Sequence, residues 1–195
     1  MVKAPHPQPR TVSRLPRITR AETAVFLGGI ASMGLELLAG RLVTPTFGNS
    51  IYVWGSIIGV FLTALSLGYW AGGRTADYAG PQALVSVLTA AAMLAGVVAV
   101  FGEPIVGATA ALPVPSRYAA VPAIVALFGP LTFLVGFVSP YGAELSAAES
   151  TGAASGRVYA LGTIGSILGS FGTTFVLIPA FDVVTIAAFY GGVLL

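Results

Sequence analysis

From residue 23 onward the chain alternates long apolar runs with short polar or proline- and glycine-rich corners. The runs have the length of membrane-spanning helices, since a bilayer core needs about 20 apolar residues. The pattern predicts an all-α, polytopic transmembrane helix bundle of about six spans. They are expected at residues 23–40, 51–73, 81–102, 118–139, 157–179 and 183–195. Thr44-Pro45 and Gly48-Asn49-Ser50 predict the first turn. A polar corner at 74–80 and a longer loop at 103–117, holding Pro104, Pro113 and Pro115, separate the next spans. Ser139-Pro140-Tyr141 is expected to break the fourth span, and Asp182 to mark a tight turn. The last segment would reach only about 20 Å of a core about 30 Å thick. The expectation is therefore a chain that stops inside a helix, as a fragment or the product of a split gene.

Composition supports lipid as the solvent. The chain is 56% hydrophobic and 8% charged, against about 25% charged for a soluble domain. Too few charges remain to cover a water-facing surface. Lys3, Arg10, Arg14, Arg17 and Arg20 crowd into a proline-rich tail, residues 1–22. Such a bias predicts a cytoplasmic N-terminus in the cell membrane, and no small-residue cleavage site suggests a removed signal peptide. The 74–80 corner and the 144–155 segment are then inside, with the loops at 41–50 and 103–117 outside. The only histidine, His6, lies in that tail, and there is no cysteine. Disulfides, thiol nucleophiles and Cys-based metal sites are thereby excluded, and neither a metal enzyme, a Ser–His hydrolase nor a cofactor is expected. Nucleic-acid binding has no support beyond the short basic tail.

Three features within the spans invite chemistry or packing. The first is Glu36, five positions before Arg41. It either snorkels or pairs with Arg41, or it forms a buried site for a cation or proton. Glu144, after the Ser139-Pro140 break, is its nearest counterpart, and Glu149 reads as a solvated loop charge. The second feature is small-residue spacing: Gly55 and Gly59, Gly68 and Gly72, then Gly162, Gly165 and Gly169. Residues four apart share a helix face, so these predict close helix packing inside the bundle, a dimer face or a sliding surface. Tyr52, Trp54, Tyr69 and Trp70 suit interfacial anchoring. The third feature is a weak repeat, in which IYVWGSI from Ile51 matches VYALGTI from Val158, 107 positions later. It is consistent with a three-plus-three inverted repeat in which Glu36 and Glu144, 108 apart, would be equivalent. The corner residues Gly73, Arg74, Asp77 and Gly80 resemble, in their G-x-x-x-D-x-x-G spacing, the loop between helices two and three of major facilitator transporters, and the glycines permit a tight turn. Asp77 is placed to cap the next helix or pair with Arg74.

The segments LELLAGRLVTPTFGNSIYVWGSIIGVFLTALSLGYWAGGRTAD, SPYGAEL and SGRVYALGTIGSILGSFGTTFVLIPAF resemble the membrane portion of spermidine synthase-like proteins, including fused major facilitator/spermidine synthase forms. The resemblance implies a bundle that precedes a cytosolic aminopropyltransferase domain. The glycine-rich nucleoside turn and the acidic diamine residues of such a domain are missing here, so no catalytic residue is carried over. The implied function is an integral membrane module that anchors or serves a cytosolic spermidine synthase-like domain or subunit. The alternative is a small transporter or half-transporter for a polyamine or other cation, using Glu36 and Glu144. A structural bundle forming a homo-oligomer through its glycine faces is the third reading. The lipid bilayer is the expected partner in all three.

Overall fold

A computed structural model describes residues 19–146 and 151–195. His6, Glu149 and most of the basic tail lie outside the described residues. Among the described residues there is no strand. The long helices are α1 (Arg20–Phe47), α2 (Ile51–Ala76), α3 (Pro81–Ala110), α4 (Val121–Ser146) and α5 (Thr151–Gly172). A π-helical segment, Thr173–Leu177, carries α5 into the single turn α6 (Ile178–Ala180), and α7 (Val183–Val193) follows. Five helical segments are long and apolar enough to cross a bilayer. Their outer faces are apolar too, with Met93, Phe101, Phe171 and Phe175 all exposed. The chain is a membrane protein.

Helix starts follow from local chemistry. Thr19 and Glu22 form a capping box: the Thr19 hydroxyl accepts from the Glu22 N–H at 3.2 Å, and the Glu22 carboxylate accepts from the Thr19 N–H at 2.7 Å. Ser50 caps α2 through the Val53 N–H at 3.4 Å. Pro81 opens α3, where its missing N–H costs nothing.

Helix ends depart from the sequence expectation. Pro45, Pro104 and Pro140 all lie inside helices, as does Pro130 of the fourth span, and Ser139-Pro140-Tyr141 does not break α4, so the turn and loop expected at Pro45 and Pro104 begin later. A proline removes one hydrogen bond, but leaving the helix would strip lipid-exposed backbone of many. The helix therefore continues. Asp77 neither caps α3, whose N-cap is Gly80, nor pairs with Arg74, which lies 4.2 Å over the Trp70 ring. That corner is tied instead by Tyr141, whose hydroxyl reaches the carbonyls of Ala79 and Gly80.

Two crossings organise the bundle. At the α1–α5 crossing, a Cβ on Gly165 would overlap the Phe26 carbonyl and one on Gly169 the Ile30 backbone. Between α2 and α4, a Cβ on Gly68 would overlap the Phe133 carbonyl, and one on Gly72 would sit 2.7 Å from the Phe137 Cα. Residue numbers rise together in each pair, so α1 runs parallel to α5 and α2 to α4. Gly28 faces Val138 and Gly142 faces Val25, so α1 and α4 run antiparallel. A core of Leu35, Leu38, Ile57, Phe61, Ile124, Phe128, Ile186 and Tyr190 fills the space between them. A smaller cluster of Val25, Leu84, Val138, Tyr141 and Val158 closes the end that carries the start of α1.

Candidate functional site

Glu36, Arg41 and Glu144 are not brought together. Glu144 is exposed near the end of α4. Its neighbour Gly142 packs on Val25, which lies about 16 Å along α1 from Glu36 at the helical rise. Arg41 donates to the carbonyl of Ile178, one of the orphan acceptors where the fifth span ends. A cation at a helix C-terminus also suits the helix dipole. Glu36 is half-buried and has no hydrogen bond or ion pair among the described residues. It lies one turn beyond Ser32 and one turn before Gly40, which backs onto the Trp54 ring of α2.

The expected packing of glycines divides in two. Gly68, Gly72, Gly165 and Gly169 meet backbone, and a Cβ on Gly162 would sit 3.3 Å from the Val25 side chain. Gly55 and Gly59 face nothing within 4 Å. Together with Val60 and Gly129 they line an open apolar groove of ≈ 650 Å³ between α2 and α4.

A second cavity, of ≈ 290 Å³, lies where α1, α2, α4 and α5 meet. Its lining is mostly small and hydroxylated: Gly28, Gly29, Ser32, Tyr69, Ser139, Tyr159, Thr163 and Ser166. The glycines at the α1–α5 crossing make the room. Thr163 donates to the Tyr159 carbonyl at 2.8 Å, and Ser166 to the Gly29 carbonyl at 3.3 Å. Ser32 is only 9% exposed, yet neither it nor Ser139 has a hydrogen-bond partner among the described residues. Tyr69, which the sequence suggests as an interfacial anchor, lines the cavity with Tyr159, and both rings are partly exposed. No lining residue is charged. The site can hydrogen-bond a small polar molecule, and it offers aromatic faces to a cation.

Sequence reasoning missed Ser32, Ser139, Thr163 and Ser166. The available signal was their spacing from glycines, as in Gly29-x-x-Ser32 and Gly162-Thr163-x-x-Ser166. It also missed an ion pair at the end where α1 begins, between Glu22 Oε1 and Arg157 Nε at 2.8 Å, with the Glu22 side chain 5% exposed. Comparison with family models, curated proteins and solved structures finds no match.

Proposed function

We propose that the chain is a membrane-embedded module that binds a small polar solute between α1, α2, α4 and α5 and passes it across the bilayer. The observation that supports this best is Ser32. Its hydroxyl makes no hydrogen bond among the described residues and lines the cavity together with Ser139, so both are left to bind a solute rather than the backbone. The volume, ≈ 290 Å³, lies at the lower edge of known ligand pockets, about 300 Å³. A solute of a few heavy atoms fits that scale. The sequence likeness to spermidine synthase-like membrane portions makes short amines the first solutes to test. An ammonium group would be met by hydroxyl oxygens and by the Tyr69 and Tyr159 rings that line the cavity.

The test is binding and uptake of labelled putrescine by the full chain in proteoliposomes. Hydrogen bonds to a charged group contribute about 1.5–3 kcal/mol, so Ser32→Ala is expected to weaken binding about tenfold or more. Saturable binding that ignores Ser32→Ala and Ser139→Ala would move the site elsewhere. Absence of binding by folded protein would favour the second reading, drawn from the same likeness, in which the bundle anchors a cytosolic spermidine synthase-like domain or subunit.

A further inference from the structure

We propose that the two halves of the bundle are inverted repeats that open the Ser32–Ser139 cavity alternately to either side, with the Glu22–Arg157 ion pair latching the present state. The proposal rests on the cavity being a solute site.

The two glycine crossings are built alike. Phe26 and Ile30 of α1 receive Gly165 and Gly169 of α5, as Phe133 and Phe137 of α4 receive Gly68 and Gly72 of α2. Gly29 abuts the Gly162 carbonyl, as Gly136 abuts that of Leu65. Two constant offsets relate every member of these contacts. Phe26, Gly29 and Ile30 precede Phe133, Gly136 and Phe137 by 107 positions. Leu65, Gly68 and Gly72 precede Gly162, Gly165 and Gly169 by 97. Because α1 runs against α4 while each is parallel to its glycine partner, the relation is an inverted one. The first offset also maps Ser32 onto Ser139, so the cavity lies where the halves meet, the place where inverted-repeat transporters bind their solutes. The register differs from the one suggested by the Ile51 and Val158 segments, and it maps Glu36 onto Ala143 rather than Glu144.

The same offsets expose one asymmetry. Glu22 maps onto Gly129 and Arg157 onto Val60. Where the first pair bridges α1 and α5 at 2.8 Å, the second lines the open groove between α2 and α4. Arg157 adjoins Val158 in the cavity wall, and Ala64 of the groove adjoins the cavity residue Leu65 in sequence. One end of the cavity is therefore latched by charge and the equivalent end is not. Alternating access requires equivalent ends in different states, and here the Glu22–Arg157 ion pair sets which end is closed.

The chain has no cysteine, so Ser32→Cys and Ser139→Cys each place one thiol in the cavity of the full-length protein. Modification by a membrane-impermeant thiol reagent is read from each side of oriented proteoliposomes, without any solute. Both thiols are expected to react from the side opposite the start of α1. Adding Glu22→Gln should raise reaction from the α1-start side at least fivefold. The charge swap Glu22→Arg with Arg157→Glu should return it to the starting rate, which a merely misfolded variant would not do. Rates that ignore the latch, or thiols closed from both sides, overturn the proposal. Sidedness that shifts while putrescine uptake is absent would leave the exchange standing and refute the solute reading.

Discussion

At the residue scale, polar groups at the membrane's edges are used to finish helices. Asp182 is the clearest case. Its Oδ1 accepts from the Thr185 N–H at 2.7 Å and starts α7. The hydrogen bonds from Thr185 hold its carboxyl below the ordinary carboxylate range, and the nearby Arg41 charge adds to this while slight desolvation opposes it. A folded pKa below the unfolded one means a contribution present above the unfolded value and lost as pH falls through the folded one. Asp182→Ala should therefore lower the thermal midpoint in detergent at neutral pH. The deficit should shrink as pH is taken below the ordinary aspartate value of about 3.9. An equal deficit at both pH values would mean that the cap acts without its charge.

At the scale of elements, the glycines separate crossings from open faces. Gly68→Ala must push a Cβ into the Phe133 backbone, which has no flexible end to yield. Overpacking of this kind costs about 1–3 kcal/mol. Gly59→Ala meets nothing and should gain about 0.5–1 kcal/mol from lost backbone freedom in the unfolded chain. Unfolding of the two variants in the same detergent checks the opposite signs. The helices and the tight glycines were legible in the sequence because apolar run length and four-residue spacing are local properties. Which glycine string meets a neighbour was not, since Gly55-x-x-x-Gly59 and Gly68-x-x-x-Gly72 look alike until α4 is placed. The prolines misled for a different reason. Turn rules assume water beside the broken backbone, and at Pro140 there is packed helix instead. The cavity was illegible for a third reason. Serines and threonines in apolar helices commonly donate back one turn, as Ser56, Thr63 and Thr89 do here. Only tertiary packing distinguishes Ser32 and Ser139, which do not.

At the scale of the whole molecule, charge sets orientation, and orientation decides which side the latch closes. The alternating helix directions put the start of α1, the 77–80 corner and the start of α5 at one end. Arg20, Arg74 and Arg157 belong to that end, and the basic tail leads into it. Arg41 and Arg117 belong to the other, with Glu103. Cytoplasmic loops carry the excess of Lys and Arg, so the end with the basic tail should face the cytoplasm, and the Glu22–Arg157 pair should close the cavity on that side. Single cysteines at exposed positions give the answer in intact cells. Tyr78 is 91% exposed at the 77–80 corner, and Leu112 is 46% exposed at the opposite end. Leu112→Cys should react with an impermeant maleimide from outside, and Tyr78→Cys only after permeabilisation. The reverse pattern would turn the bundle over. The ion pair would then hold the outer end shut, and a solute released from the cavity in the present state would leave toward the cytoplasm.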